Sequence, residues 1–252
     1  MNKTLHSLLA VSVAAIALTH GGISNATVVE YGFSATITSM FEHDGASGVN
    51  TYVNSSTFPG SIISNGGLIT GIFEYDTAAP LSPYYQPDVQ TSGTYQLYTQ
   101  SGANQRIHFT VAQSGLTYTS STLPYLNTTI QVANNASTFS GWDIFAIGNS
   151  AGYNPVMFQN ASINLFDNKG TAFNNSTIPS TLNLNDFTYA ALSTGWLRQS
   201  DGSQLQLTAN ITALNITVVA SVPEPETYAM LLAGLGLMGA VVRRRKQKSM
   251  SV

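Results

Sequence analysis

Apolar and polar side chains alternate in short segments through most of the chain between residues 27 and 222. The first segment has an apolar residue at every second position: Val29, Tyr31, Phe33, Ala35 and Ile37. A period of two places such residues on one face of a β-strand. The same pattern predicts further strands at residues 69–76, 95–97, 106–111, 130–132, 142–147, 163–165, 182–184, 187–192, 205–211 and 214–219.

Turn-forming sequences separate several of these segments: Ser-Asn-Gly-Gly at 64–67, Asp-Asn-Lys-Gly at 167–170 and Asp-Gly at 201–202. Such sequences favour tight connections between antiparallel strands. The sequence therefore predicts an all-β domain, built as an antiparallel β-sandwich or a jelly roll. The apolar phase changes between Ile211 and Leu214, which predicts a β-bulge in the last strand.

The N-terminal residues have the three parts of a secretory signal peptide. Lys3 supplies a positive charge, an apolar run follows, and a small-x-small sequence ends at Ala26. We expect residues 1–26 to form an apolar helix that signal peptidase removes between Ala26 and Thr27. The exported domain would then span residues 27–222.

Three segments follow one another at the C-terminus. Pro223, Glu224 and Pro225 predict an extended, exposed stretch, because proline fixes φ and has no N–H. The uncharged run from Tyr228 to Val242 predicts a transmembrane helix that is shorter than the usual span of about 20 residues. Four cations come next and resist translocation, which keeps them on the cytoplasmic side: Arg243, Arg244, Arg245 and Lys246.

This order of segments over residues 223–248 closely resembles the PEP-CTERM sorting tail, which exosortase-type enzymes process on exported bacterial proteins. The stretch from Gly67 to Thr77 also resembles a segment of β-rich PEP-CTERM proteins. The resemblance implies that the tail is held transiently in the inner membrane. It further implies delivery to the cell surface or to an extracellular exopolysaccharide matrix.

Charge narrows the choice of partners. Charged residues make up only 8% of the chain, and cysteine is absent, so disulfides play no part. Between Thr27 and Thr227, three cations (Arg106, Lys169 and Arg198) stand against all twelve carboxylates, a net charge of −9. An acidic, lysine-poor surface argues against nucleic acid as a partner and is compatible with neutral polysaccharide or divalent cations.

Two sequence patterns match part of a catalytic site, but neither supplies a complete set of catalytic residues. Residues 148–152 match the G-x-S-x-G nucleophile elbow, but every histidine precedes Ser150, which excludes an α/β-hydrolase in its usual chain order. Glu74 and Asp76 share a strand face about 7 Å apart, as a glycosidase pair would. The residues after Asp76 also predict a strand-ending turn, which is the favoured interpretation.

Two loops are candidates for ligand binding. Glu42 and Asp44 flank a histidine in a predicted loop, and their carboxylates could contribute oxygen ligands to Ca²⁺ or contact a glycan. Tyr84 and Tyr85 lie in a proline-bounded loop, where their rings could stack on sugars. For the other aromatic candidates, which include Tyr118, Trp142 and Trp196, burial in the core is the favoured interpretation.

The leading functional hypothesis is a non-enzymatic surface or matrix protein associated with exopolysaccharide. A carbohydrate-binding module is the first alternative, and a glycoside hydrolase or lyase is the second. The sequence predicts no metal site and no cofactor. The expected partners are signal peptidase, an exosortase-type enzyme, the inner membrane for a short time, and exopolysaccharide.

Overall fold

A computed structural model describes residues 27–82, 94–100, 106–120, 128–150 and 157–221, together with Leu235. Its strands are β1 (Thr27–His43), β2 (Asn50–Val53), β3 (Ser55–Ser56), β4 (Ile63–Ser64), β5 (Leu68–Asp76), β6 (Thr94–Gln100), β7 (Ile107–Val111), β8 (Leu116–Thr119), β9 (Thr128–Ala136), β10 (Trp142–Ser150), β11 (Met157–Asp167), β12 (Tyr189–Arg198) and β13 (Gln204–Ser221). Two short 3-10 helices are Ser137–Phe139 and Leu184–Asp186. Within the described ranges, no helix has the length and apolar character needed to cross a bilayer.

All pairings between the strands are antiparallel, which confirms the predicted fold class. Eleven strands form one sheet in the order β6-β9-β10-β11-β12-β13-β1-β5-β7-β8, with β2 paired to the far end of β1. Strands β3 and β4 form a separate two-stranded sheet. Residues Thr27–Ser221 form a compact unit.

The large sheet curves over its main core in the manner of a sandwich, and a second, smaller apolar cluster includes Ile144. Strands β5 and β10 are five places apart in the sheet order, yet the rings of Tyr75 and Phe145 lie 5.2 Å apart between centroids. The segment that follows β5 reaches the opposite edge of the sheet, where Ser82 N donates to Leu97 O at 2.8 Å. One apolar cluster therefore draws side chains from strands on both halves of the sheet.

Buried aromatic rings form the centre of this core. The rings of Tyr31, Phe73 and Tyr75 stack at centroid separations of 5.4 to 6.3 Å. Burial raises the pKa of both tyrosines, and their hydroxyls bond to the loop between β11 and β12. Tyr75 donates to Pro179 O at 2.9 Å, and Tyr31 accepts from Leu182 N. These bonds hold the loop against the core, where Leu182 is buried.

The strand predicted at residues 182–184 is wrong. Here the side chain of Asn183 accepts a hydrogen bond from Asn185 N at 3.2 Å and caps the short helix Leu184–Asp186. This local bond competes with strand pairing, as asparagine side chains commonly do. The β-bulge predicted between Ile211 and Leu214 is confirmed, because the β1–β13 register shifts at that point.

Asp143 on β10 is fully buried and tied to backbone groups. Its carboxylate accepts from Asn135 N at 2.8 Å and from Phe173 N at 2.7 Å. Asp167, its register partner on β11, is 1% exposed. Buried carboxylates require such partners because desolvation is costly.

Asp167 organises the turn that follows β11. One oxygen accepts from Lys169 N at 3.0 Å, and the other accepts from Thr171 N at 2.7 Å and Thr171 Oγ1 at 2.9 Å. Burial opposes ionisation of Asp167, but these hydrogen bonds outweigh it and lower the pKa of the carboxyl. The ionised carboxylate is thus part of the folded structure.

Candidate functional site

The predicted Glu42–Asp44 loop lines a groove of about 480 Å³. The loop prediction is wrong for Glu42 and His43, which end β1, whereas Asp44 begins the turn that follows. Glu42 Oε1 accepts from Ser56 Oγ at 2.6 Å, and Asp44 accepts from Ala46 N at 2.9 Å and Ser47 Oγ at 2.8 Å. The Ala46 N–H, followed by the Ser47 hydroxyl, lowers the pKa of Asp44. Asp44 therefore stabilises the turn.

Arg198 borders the same groove. Its guanidinium lies 4.6 Å from the centroid of the Phe58 ring and forms an ion pair with Asp201 at 3.1 Å. Within the part of the chain that the structure describes, no group of three or more histidine, aspartate or glutamate side chains is arranged to hold a metal ion. Ligand binding by Glu42 and Asp44 stays a prediction.

Most other predicted site residues lie outside the described ranges. These are Ala26, Tyr84, Tyr85, the sorting residues Pro223, Glu224 and Pro225, the run Tyr228 to Val242 apart from Leu235, and the cations Arg243, Arg244, Arg245 and Lys246. Thr27 is described as the first residue of β1.

Glu74 pairs across the strands with Glu30. Arg106 bridges the two carboxylates, with nitrogen–oxygen distances of 3.3 Å to Glu74 and 3.4 Å to Glu30. Burial raises the pKa of Glu74, Arg106 opposes the shift, and Glu30 adds to it. Asp76 instead accepts from Ala78 N at 2.9 Å, in agreement with the predicted turn.

A polar groove crosses the face of the sheet that points away from the core, here called the outer face. Register partners on six adjacent strands form one row: Ser39, Thr208, Ser193, Ser162, Gly148 and Thr129. This hydroxyl groove has a volume of about 480 Å³, and the other residues that line it are also uncharged. It forms because the row consists of short side chains, with larger residues on either side such as Phe41 and Gln206.

A cluster of aromatic side chains occupies one end of the outer face. Trp142, Phe166 and Tyr189 lie on the successive strands β10, β11 and β12, with ring centroids 6.4 and 5.6 Å apart. Trp142 is 38% exposed and Tyr189 is 45% exposed. Beside these rings a pocket of about 360 Å³ is bordered by the amides of Gln131 and Asn164. This aromatic pocket combines apolar surface with hydrogen-bonding groups.

The sequence pattern predicts only part of the outer face. Tyr118 and Trp196 are each 1% exposed, as the core interpretation predicted, whereas Trp142 is partly exposed. The sequence gives no sign that Phe166 and Tyr189 belong to the same cluster. Their alternation indicated strands, but only the register between strands brings the three rings together.

These features define a sandwich-like antiparallel β protein with uncharged grooves on its outer face. Residues 221–246 match the PEP-CTERM protein-sorting motif, which confirms the resemblance drawn from the tail. The chain therefore carries a PEP-CTERM sorting motif at its C-terminus, and the motif implies export, anchoring through the C-terminus and processing by an exosortase. Comparisons with curated proteins and with solved structures gave no match.

Proposed function

We propose that the exported protein is a non-enzymatic component of the cell surface or of an exopolysaccharide matrix. The observation that carries the proposal is the hydroxyl groove, whose lining is wholly uncharged on an otherwise acidic domain. Hydroxyl and amide side chains both donate and accept hydrogen bonds. They therefore suit the hydroxyl groups of a polysaccharide.

The carboxylates of Glu30 and Glu74 support a non-enzymatic role. A glycoside hydrolase places two carboxyl groups on either side of a substrate cleft. Glu74 and Glu30 are bridged by Arg106, and neither lines one of the three grooves described above. Their contacts hold β1, β5 and the start of β7 together.

Processing at both ends is part of the proposal. Signal peptidase cuts between Ala26 and Thr27, and the run from Tyr228 to Val242 holds the chain in the inner membrane. The exosortase-type enzyme then cuts near Pro223–Pro225, while the following cations prevent further translocation. Intact-mass measurement of the secreted protein tests this sequence of events, since a mature species that still ends at Val252 would contradict it.

Cell fractionation tests the destination. We expect the wild-type protein in the extracellular matrix, from which enzymatic digestion of the polysaccharide releases it. Replacing Pro223, Glu224 and Pro225 together by alanine should leave the protein in the inner-membrane fraction. An equal matrix content in both strains would reject sorting by this motif.

The carbohydrate-binding module remains the second candidate, favoured by the groove that Glu42, Asp44 and Phe58 line. Glycan-array binding that disappears in Tyr85→Ala would support this function through the Tyr84–Tyr85 loop, the other candidate for ligand binding. Absence of binding to any glycan, with and without Ca²⁺, would remove it. For the glycosidase alternative, unchanged turnover in Glu74→Gln and Asp76→Asn would exclude those carboxylates as catalysts.

A further inference from the structure

The hydroxyl groove and the aromatic pocket form one surface. Asn164 borders the aromatic pocket and donates through Nδ2 to Ser162 Oγ, in the hydroxyl groove, at 2.9 Å. Toward the other side of the outer face, Phe41 lines the hydroxyl groove, and its ring centroid lies 6.2 Å from that of Tyr52. Tyr52 is 83% exposed. An uncharged groove thus lies between two groups of accessible aromatic rings.

We propose that this surface binds a single chain of a neutral polysaccharide. The inference rests on the proposed matrix function and adds to it a site and a class of ligand. The occupied surface comprises the hydroxyl groove, the aromatic pocket and the ring of Tyr52. It is separate from the Glu42–Asp44 groove and does not involve its carboxylates.

The aromatic rings and the hydrogen-bonding side chains of this surface match the apolar faces and the polar edge of a pyranose ring. A sugar ring presents apolar C–H groups on its faces and hydroxyl groups around its edge. Partly exposed rings such as Trp142 and Tyr189 offer rigid apolar area to the faces. The groove side chains, among them Ser193 and Asn160, exchange hydrogen bonds with the hydroxyls.

The dimensions suit an extended chain. The row of short side chains crosses six adjacent strands, and strands lie about 4.8 Å apart, so the groove is about 24 Å long. That length accommodates several sugar units in succession. A monosaccharide would fill only part of it.

Charge selects a neutral chain. The lining of both the hydroxyl groove and the aromatic pocket is uncharged, whereas the stretch from Thr27 to Thr227 has a net charge of −9. An acidic polysaccharide would approach against this field. A second copy of the protein would suit a surface with an apolar centre, but here the centre is polar and the aromatic rings lie on either side of it.

Binding by the full-length chain tests the proposal, in a detergent that lacks a sugar headgroup. Dextran and galactomannan serve as neutral probes, and alginate serves as the acidic comparison. We expect a neutral probe to bind, with affinity at least about tenfold weaker in Trp142→Ala and Tyr189→Ala. Tyr189→Phe should retain binding because it keeps the ring. Ile216→Ala, which truncates a 46% exposed residue further along β13, should bind like wild type.

A second variant separates loss of binding from loss of folding. A Cβ at Gly148 would lie 3.5 Å from Thr129 Oγ1 and 3.9 Å from Ser162 Cβ, which are ordinary contacts. Gly148→Ala should therefore keep the melting temperature while its methyl group occupies the floor of the groove. We expect weaker binding of the neutral probe in this variant, and wild-type affinity would count against the groove as the site.

The remaining outcomes overturn the inference. They are the absence of binding to either neutral probe, equal binding of alginate, or equal affinity in all the variants. Self-association that Trp142→Ala abolishes in sedimentation velocity would identify a second copy as the occupant. If the protein reaches the matrix but binds no neutral probe, the site is wrong and the matrix function stands. If the protein binds a neutral probe but does not reach the matrix, the site stands and the matrix function is wrong.

Discussion

Replacing Asp167 by asparagine should destabilise the domain in a pH-dependent way. Asparagine has the same shape but keeps only one carbonyl oxygen. If that oxygen retains the bonds from Thr171, the new NH₂ group faces Lys169 N, which at 3.0 Å is itself a donor. The variant loses one hydrogen bond to a charged group, and the other bonds lose the contribution of the charge.

The expected cost follows from this bond. Hydrogen bonds to charged groups contribute about 1.5–3 kcal/mol each. In a domain of 150–250 residues, 1 kcal/mol shifts the melting temperature by about 2–4 °C. We therefore expect Asp167→Asn to lower it by about 3–12 °C at pH 7, and Asp167→Ala, which loses all three bonds, to lower it further.

The pH dependence has a definite sign. Because the folded-state pKa of Asp167 is lowered, its contribution to stability is present above the unfolded value of about 3.9. It is lost as the pH falls through the lower folded value. The difference in melting temperature between wild type and Asp167→Asn should accordingly shrink below about pH 4.

Thermal unfolding followed by circular dichroism from pH 7 to pH 2 measures both effects. Asp186→Asn provides the control, since Asp186 is an exposed carboxylate in the same loop region. Equal melting temperatures for wild type and Asp167→Asn at pH 7 would refute the reasoning. So would a difference that remains constant down to pH 2.

Three further substitutions give separate expectations. Because the pKa of Glu74 is raised, its contribution to stability is present below the unfolded value of about 4.3 and is lost as the pH rises through the folded value. Urea titrations at several pH values measure the free energy of unfolding, and Glu74→Gln should make its decline with rising pH less steep. An equally steep decline in the variant would contradict a raised pKa for Glu74. Among the described residues, the Nε1–H of Trp196 is buried without a partner. Trp196→Phe removes this donor and should cost under about 1 kcal/mol, against about 3–5 kcal/mol for Trp196→Ala; similar costs would contradict this. A Cβ at Gly71 would lie 2.3 Å from His108 O, so Gly71→Ala should lower stability by about 1–3 kcal/mol, and a neutral effect would show that β5 and β7 can separate.

The sequence predicted the faces of the strands well because the period of two is a local property. It could not predict which strands are neighbours. Glu30 and Glu74 lie far apart in the chain, and only the β1–β5 register places them opposite each other. The hydroxyl groove depends on five such registers in succession, each set by packing across the whole sheet.

Local patterns also failed where a side chain bonds to the backbone of a residue close to it in sequence. The alternation at residues 182–184 was indistinguishable from a strand until Asn183 was seen to cap the following turn. Conversely, the sequence around Asp167 correctly predicted a turn, because aspartate bonds to nearby N–H groups whatever the tertiary surroundings. The local sequence does not predict that the Asp167 carboxylate is buried.

The pairing of β1 with β13 has a consequence for the order in which the chain leaves the cell. Thr27 and Ser221 are register partners, and the two strands occupy the middle of the sheet. In the proposed export from the N-terminus, β1 emerges first, and its neighbour β13 emerges last among the strands, next to the sorting motif. Until residues 204–221 arrive, β1 and β12 each lack the partner that joins the two halves of the sheet. The domain can therefore complete its fold only when the sorting motif is the next segment to be translocated.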